Sequence, residues 1–357
     1  MRTLIRPTGF VDSPFGHDGK VARLAGGLSW FASVELLKLD DFDRRISSDL
    51  LPVEGIESRF DEDMATQWSA LTDIRSPLQL GARTVRLDQP QVMGIVNATP
   101  DSFSDGGLFA DANAAAEAGA DMASQGAAII DVGGESTRPG AKPVWEGEEI
   151  ERIGPIIRQL TAGGAAVSID TRKADVMTAA LEAGARLIND VSALTYDDRS
   201  ANIVAAAGAP VVLMHHKGKP ETMQDDPRYD DVLVEIYQWF EDRIAAAVEA
   251  GIARDKILID PGFGFGKNVA HNLELMNGLA LFHSLGCPIV VGASRKRTIG
   301  ALSGEVPSDK RLGGSIAFAL KAAEQGAQIV RVHDVFETVQ ALRIWRGLRD
   351  QALTPRV

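Results

Sequence analysis

Short apolar stretches alternate with amphipathic helical segments along the chain, from residue 92 almost to its end. Eight of these stretches are continuously apolar, which is typical of parallel strands that are buried on both faces of a sheet. The predicted strands are 92–96, 128–132, 166–170, 187–190, 210–214, 256–260, 288–292 and 328–332. The alternation therefore predicts eight strand–helix units.

A glycine stands shortly before each of the last seven predicted strands, where the preceding helix needs a left-handed cap. These glycines are Gly126, Gly164, Gly184, Gly208, Gly251, Gly286 and Gly326. Eight units of this size fit a (β/α)8 barrel better than a doubly wound sheet, which usually has fewer strands and a glycine-rich fingerprint after the first. We predict an α/β fold, with a (β/α)8 TIM barrel over residues 87–357.

The first 86 residues carry no motif that indicates a chemistry. They contain an amphipathic stretch around 27–37 and helical spacing over 61–71. We expect this N-terminal extension to be a small folded appendage that packs on the barrel or contributes to an oligomer contact.

Each predicted strand ends in a polar or charged group. In a barrel the carboxyl ends of the strands form the catalytic face, so groups that are far apart in sequence are expected to meet there. The groups are Asn97, Asp131, Asp170, Asn189 with Asp190, His215 with His216, Asp260, the 294–296 run, and Arg331 with His333. One of them alone would be an ordinary strand-end cap, but eight together predict a pocket.

Composition and charge exclude several functions. The 357 residues are 45% hydrophobic and carry a net charge of −12, which argues against a nucleic-acid or anionic-membrane surface. No apolar run reaches membrane-spanning length, and the N-terminus lacks a secretory apolar region. The single cysteine, Cys287, is expected to be a buried thiol. We expect a cytoplasmic protein with small-molecule substrates.

The residue types at the strand ends suggest two ligand groups. Asp170, Asn189 and Asp260 supply the donors and acceptors that a flat heterocycle with amino, N–H and carbonyl edges requires. The Ser294-Arg295-Lys296 run, Arg331 and His333 follow strands seven and eight, where barrels commonly bind phosphate.

A divalent ion is also compatible with this face. Asn97 and a substrate diphosphate would suffice for Mg²⁺, which prefers oxygen ligands and keeps several waters. Zinc is disfavoured, because the adjacent His215 and His216 point to opposite sides of an extended strand end.

Three glycine-bearing loops adjoin these strand ends. The loops 97–107 and 133–140 are long and polar, as expected of lids that exclude water. The GFGFG run at 262–266 lacks the Lys-Ser or Lys-Thr pair of a phosphate loop, so we interpret it as a tight loop that shapes a flat pocket. Ser136 lacks the G-x-S-x-G elbow of a catalytic serine.

Seven ordered motifs closely resemble the dihydropteroate synthase family. They are NATPDSFSDGG, IIDVGGESTRPGA, SIDTRKADVM, LINDVSAL, IDPGFGFGK, GASRKRTIG and IVRVHDV, spread from about residue 92 to 348. The resemblance implies a TIM barrel that condenses 6-hydroxymethyl-7,8-dihydropterin diphosphate with 4-aminobenzoate in folate biosynthesis. It also implies Mg²⁺ as cofactor, a homodimer and inhibition by sulfonamides.

The resemblance also implies residue roles, carried over motif by motif. The pterin would be bound by Asp131, Asp170, Asn189, Met214, Asp260, Phe265 and Lys296. The diphosphate would be bound by Asn97, Thr137, Arg331 and His333, with Asn97 as the metal ligand. The 4-aminobenzoate would be bound by Phe103, Arg138, Pro139 and Ser294. The reaction would depend on Asp105, Arg138, Lys296, Arg331 and His333.

The chain departs from the family pattern at His216-Lys217, at Arg297 and in its long N-terminal segment. Two other functions share a pterin-binding barrel. One is a methyltransferase that uses methyltetrahydrofolate, but that chemistry has no use for two anion sites and this pair of loop motifs. The other is a non-catalytic pterin-binding protein, which loss of diphosphate-site residues would favour; here those residues are present.

Overall fold

The computed structural model describes residues 2–98, 108–135, 144–218 and 222–354, without the side chains of 108–111. The N-terminal part contains β1 (Arg2–Val11), β2 (Ala22–Arg23), β3 (Trp30–Leu39), β4 (Arg45–Pro52), α1 (Glu62–Thr72), β5 (Leu78–Leu80) and β6 (Arg83–Val85). The strands that follow are β7 (Gln91–Asn97), β8 (Ile129–Gly133), β9 (Val167–Asp170), β10 (Leu187–Asp190), β11 (Val211–Met214), β12 (Ile257–Asp260), β13 (Val290–Val291) and β14 (Ile329–Val332). The helices that follow are α2 (Leu108–Gln125), α3 (Glu146–Ala162), α4 (Ala174–Ala183), α5 (Ser200–Ala207), α6 (Val232–Glu249), α7 (Val269–Asn277), α8 (Arg297–Leu302), α9 (Leu312–Glu324) and α10 (Val335–Ala352).

The eight strands from β7 to β14 form one parallel sheet in the order β12-β11-β10-β9-β8-β7-β14-β13. A parallel bridge between Ile259 and Ile289 joins the two ends of that order, which closes the barrel. The predicted TIM barrel and all eight predicted strands are confirmed. The seventh strand is the shortest of the eight: Pro288 has no N–H to donate, and the Ile289 N–H donates to the Gln328 side chain at 2.7 Å instead of to a neighbouring strand.

The seven glycines that precede the later strands all have left-handed backbones, with φ between 57° and 117°. Gly184 illustrates the reason: its N–H closes α4 on the carbonyl of Ala180 at 3.1 Å, in a conformation that disfavours a side chain. The predicted caps are therefore confirmed.

The β5–β6 hairpin fills one end of the barrel. Its buried Leu78, Leu80 and Val85 form a cluster with residues near the starts of the barrel strands, including Met93 and Val212. The amino ends of the strands are thus closed by apolar side chains, which leaves the carboxyl ends for a site.

The N-terminal strands β1, β3, β2 and β4 form an antiparallel sheet that packs beside the barrel. The predicted helical segment is α1, and the Asp61 side chain caps it by accepting from the Met64 N–H at 2.8 Å. The amide of Gln67 on α1 covers the edge of β1, accepting from Ile5 N at 3.0 Å and donating to the Thr3 carbonyl at 2.8 Å. Satisfying an edge strand in this way removes a template for aggregation.

This sheet contacts a 3₁₀ helix, Leu279–Leu285, which precedes β13 and whose seven residues are all buried. Arg75 donates to the carbonyl of His283 at 3.0 Å, and Arg2 forms an ion pair with Glu241 on α6. Cys287 is buried, as predicted, and burial raises the pKa of its thiol to about 11. Within the described ranges, no helix combines the length and apolarity that crossing a bilayer requires.

Candidate active site

The carboxyl ends of the barrel strands surround a pocket. It is lined by Asp170, Asn189, Val191, Met214, Asp260, Gly262, Phe263, Phe265, Gly292, Lys296 and Arg331. The sequence-predicted Asp170, Asn189, Asp260 and Lys296 thus face one cavity, together with the predicted Met214 and Phe265.

The parallel register brings these side chains together. Asp170 is the last residue of β9 and pairs with Asn189 of β10, and Met214 at the end of β11 pairs with Asp260 at the end of β12. Each strand therefore delivers its polar terminus to the same height of the barrel.

A buried cluster of hydrogen-bonded side chains joins four strands at this level, β8, β9, β10 and β14. Arg331 donates through Nε to Asp131 Oδ2 at 2.6 Å and through Nη2 to Asp170 Oδ2 at 2.7 Å. Asn189 Nδ2 also donates to Asp131 Oδ2, at 3.0 Å. Burial raises the pKa of Asp170, while the charge of Arg331 opposes that rise.

Two carboxylate oxygens of this cluster accept no hydrogen bond from the described residues. Among the described residues, Asp131 Oδ1 and Asp170 Oδ1 are buried side-chain atoms that lack a hydrogen-bond partner. A buried carboxylate oxygen without a donor is costly, so at Asp170, which lines the pocket, a ligand that brings an N–H group would be favoured.

Another part of the pocket lining combines a carboxylate, an aromatic ring and a cation. Asp260 Oδ1 accepts from Gly262 N at 2.8 Å, and burial raises the pKa of this carboxyl. The Lys296 ammonium lies 4.0 Å from the centre of the Phe265 ring, within cation–π distance. This part of the lining therefore offers a ligand a carboxylate, an aromatic face and a positive charge.

Ser294 and His333 meet at the edge of the same face. Ser294 Oγ lies 3.1 Å from His333 Nδ1 and accepts from the His333 backbone N–H at 3.3 Å. Arg295, which stands between the site residues Ser294 and Lys296, has a left-handed backbone and pairs with Asp334. Within the 294–296 run, Lys296 therefore lines the pocket, Ser294 contacts His333 and Arg295 contacts Asp334.

Asn97 ends β7 beside Gly133 and is half-buried. In the described part of the chain, no group of three or more His, Cys, Asp or Glu residues has the spacing of a metal site. A lone amide oxygen suits a hard ion whose other ligands are substrate oxygens and water, and it does not suit zinc.

Not every predicted strand-end group lines the pocket. Asp170, Asn189, Asp260, Lys296 and Arg331 do, whereas the lining does not include Asn97, Asp131, Asp190, His215, His216, Ser294, Arg295 or His333. His215 lies 2.9 Å through Nδ1 from the ammonium of buried Lys267, and His216 Nδ1 lies 3.2 Å from the Gly218 carbonyl. Burial lowers the pKa of both imidazoles.

The polar residues at the strand ends did not predict the apolar lining residues Val191 and Phe263. The GFGFG run was the available signal for Phe263, and the prediction that this run shapes the pocket agrees with the lining by Gly262, Phe263 and Phe265.

Five predicted site residues lie outside the described residues, namely Phe103, Asp105, Thr137, Arg138 and Pro139. The described neighbours of the second loop motif are held by a buried lysine. Lys173 Nζ donates to Glu135 Oε2 at 2.5 Å and to Glu149 Oε2 at 2.6 Å, while Glu135 Oε2 accepts from Val144 N at 3.0 Å.

Comparison with known proteins agrees with this geometry. Residues 93–333 match the family of pterin binding enzymes. The dihydropteroate synthase of Escherichia coli (strain K12) is 48% identical over 259 residues, which cover 72% of this chain and 91% of that protein.

Solved structures agree as well. A Xanthomonas albilineans dihydropteroate synthase with 4-aminobenzoic acid is 47% identical, with a TM-score of 0.73, over 78% of this chain and 100% of that chain. A Xanthomonas albilineans dihydropteroate synthase in complex with 7,8-dihydropteroate is 44% identical, with a TM-score of 0.70 and the same coverage.

The barrel and its strand-end pocket define a pterin-binding enzyme. Within that class, the chain belongs to the dihydropteroate synthase family, as its seven motifs predicted.

Proposed function

We propose that the chain condenses 6-hydroxymethyl-7,8-dihydropterin diphosphate with 4-aminobenzoate, giving 7,8-dihydropteroate and diphosphate in folate biosynthesis. The observation that carries this proposal is the single pocket in which Asp170, Asn189, Asp260 and Lys296 face one another. The family match and the relatives that bind 4-aminobenzoic acid and 7,8-dihydropteroate support it.

The pterin is proposed to occupy the pocket between the ion cluster and the aromatic wall. Asp260 and Asp170 would accept from its amino and N–H groups, Asn189 would contact its polar edge, and Lys296 would bind a ring carbonyl or nitrogen. Asp131 would act through Arg331 and Asn189, to which it is bonded. Met214 and Phe265 would cover the ring faces. A ring with mismatched donors would leave these buried groups unpaired, which gives specificity.

The diphosphate is proposed to lie towards Asn97, Arg331 and His333, with Thr137 as a further contact. Asn97 would contribute one oxygen to Mg²⁺, and the ion would neutralise part of the diphosphate charge when it is bound. Each cationic or N–H contact that strengthens as the leaving charge develops is worth about 2–4 kcal/mol.

The 4-aminobenzoate is proposed to lie against Ser294, with Phe103, Arg138 and Pro139 as its other contacts. Asp105 and Arg138 are proposed to exclude water during the reaction. The oligomeric state, the cytoplasmic location and the division at residue 86 stay predictions of the sequence.

The proposed reaction needs orientation more than a strong base. The bond between the exocyclic carbon of the pterin and the diphosphate oxygen breaks, and the arylamine nitrogen bonds to that carbon. The nitrogen then loses its extra proton to solvent. Because a free arylamine is already nucleophilic at neutral pH, the contribution of the protein is to align it and to stabilise the leaving anion.

A diphosphate-release assay tests the proposal. Release should depend on 4-aminobenzoate, and a sulfonamide should compete with that substrate. Asp260→Asn should reduce kcat/KM about a hundredfold or more, because it replaces a buried acceptor by a partial donor. Asp255→Asn, just before the other end of β12, is the matched control and should behave as wild type. Release that is independent of 4-aminobenzoate would contradict the proposal.

A further inference from the structure

Lys267 is a buried cation that the reaction does not use. The residue is 2% exposed, and it is absent from the pocket lining. Its Nζ contacts the Gly262 carbonyl at 3.0 Å, the Phe265 carbonyl at 3.1 Å and His215 Nδ1 at 2.9 Å. An ammonium has three protons, so these three neutral acceptors account for all of them.

Burying a lysine without a carboxylate partner in hydrogen-bond contact is unfavourable. Burial lowers the pKa of this ammonium well below its usual range, while the charge of Asp260 opposes that shift. Burying the Lys267 ammonium is unfavourable, yet all three of its protons are used in hydrogen bonds. This suggests that the three contacts have a function.

The contacts hold the wall of the pterin pocket. Gly262, Gly264 and Gly266 all have left-handed backbones, and such a glycine-rich loop has many alternative conformations when it is not fixed. Lys267 bonds to two carbonyls of the 262–266 loop, those of Gly262 and Phe265, which lie three residues apart. The Phe265 ring in turn faces the Lys296 ammonium at 4.0 Å.

His215 connects this loop to the neighbouring strand. Its backbone N–H donates to the Asp260 carbonyl at 2.9 Å, and its ring packs edge-on against Trp239 with centroids 4.8 Å apart. Burial lowers the pKa of His215, so its imidazole is neutral, and donation from the Lys267 ammonium to Nδ1 would place its proton on Nε2.

We propose that Lys267 is a positioning residue of the active site. Its ammonium, anchored on neutral His215, fixes the 262–266 loop so that Phe265, and through it Lys296, meets a planar ring. This inference rests on the proposed function only in naming the pterin as that ring.

Lys267→Met tests the inference by direct binding of 6-hydroxymethylpterin, which cannot react, and by steady-state kinetics. We expect the pterin Kd to rise about tenfold or more and the KM for 4-aminobenzoate to change less than twofold. Lys256→Met is the matched control, since the Lys256 ammonium donates to the Gly208 carbonyl at 2.6 Å, far from the pocket. Unchanged pterin binding in a folded Lys267→Met protein would overturn the proposal.

A second pair of variants covers the case in which Lys267→Met does not fold. His215→Asn places an acceptor near the position of Nδ1, whereas His215→Leu places none. We expect His215→Asn to bind 6-hydroxymethylpterin at least fivefold more tightly than His215→Leu. Equal affinities in two variants of equal Tm would overturn the proposal.

The tautomer of His215 tests the Lys267–His215 contact directly, because a role of Lys267 in stability alone would not require a particular tautomer. The ¹⁵N shifts of His215 in the wild-type protein should show an unprotonated Nδ1 and a protonated Nε2 at neutral pH. A protonated Nδ1 would mean that Lys267 is not the donor, which would overturn the proposal. Failure of the proposed function would appear separately, as wild-type protein that binds 6-hydroxymethylpterin but forms no product.

Discussion

Arg331 donates through its Nε to Asp131 at 2.6 Å, although 200 residues separate the two along the chain. The same guanidinium reaches Asp170, so one cation is shared by two buried carboxylates. The pterin-side acids and the predicted diphosphate-side arginine are therefore one electrostatic unit.

Arg331→Met should destabilise the protein by about 3–5 kcal/mol near neutral pH, because it leaves two buried carboxylates without their cation. Without Arg331, the folded-state pKa of Asp170 rises further above its unfolded value. A raised carboxyl pKa means that the folded state binds the extra proton, so the stability of the variant should fall as pH rises from about 5 to 8. Urea unfolding at several pH values measures this.

The control for this prediction is the double variant Arg331→Met with Asp131→Asn. It removes one of the two stranded charges and should recover part of the lost stability. Equal stability of the single variant and wild type at pH 7.5 would contradict the prediction.

Gly262 and Gly164 both have left-handed backbones, but only Gly262, in the pocket wall, lies close to another part of the backbone. Substituting each by alanine therefore separates backbone strain from steric contact. A Cβ on Gly262 would lie 1.9 Å from the His215 carbonyl oxygen, whereas a Cβ on Gly164 would have no atom within 4 Å. Gly164→Ala should cost only the backbone strain, about 1–2 kcal/mol, and should leave pterin affinity unchanged. Gly262→Ala should in addition displace the loop and weaken 6-hydroxymethylpterin binding at least tenfold. Calorimetric titration of both variants distinguishes strain from steric displacement.

The sequence pattern predicted most of the barrel, because parallel strands that are buried on both faces consist of continuous apolar residues. It also predicted Asp170 and Asp260, since a strand end fixes both the position and the direction of its last side chain. Lys267 could not be found in this way. It lies seven residues beyond the end of β12, and its partner His215 belongs to another strand loop. Their contact depends on the left-handed glycines between them.

The Arg331 contacts illustrate a second limit of sequence reasoning. The positions of the strand ends predict which residues lie on the same face of the barrel. They do not predict which acid forms an ion pair with which cation when there are more acids than cations. The sequence assigned Arg331 to the anion and Asp131 to the pterin, and their direct hydrogen bond depends on strand order and on rotamers.

The pH dependence of stability should carry a contribution from His283. This histidine is fully buried, donates through Nε2 to the Gln325 carbonyl at 3.1 Å, and lies near Arg75. Burial, and then the charge of Arg75, lowers its pKa from 6.5 to about 3. The unfolded state therefore binds one more proton between these values, and stability is lost as pH falls from about 6.5 towards 3, by about 1.4 kcal/mol per unit.

His283→Gln keeps a donor for the Gln325 carbonyl but does not titrate. Its free energy of unfolding should therefore fall less steeply below pH 6.5 than that of wild type. If chemical denaturation shows that the free energies of unfolding of the variant and wild type fall equally steeply with pH, His283 does not cause this pH dependence.

The N-terminal segment offers a test of where the barrel begins. The sequence places the division at residue 86, but Leu78, Leu80 and Val85 of the β5–β6 hairpin are buried inside the barrel. Deletion of residues 1–76 exposes the buried 279–285 helix and removes Arg75 from the His283 carbonyl, which should lower stability.

Deletion of residues 1–86 also removes the hairpin. Burying a large aliphatic side chain stabilises by about 1.5–3 kcal/mol, so this deletion should cost several kcal/mol more. Denaturant unfolding of both deletions, with diphosphate release as the measure of activity, checks this, and equal stability would show that the hairpin is dispensable.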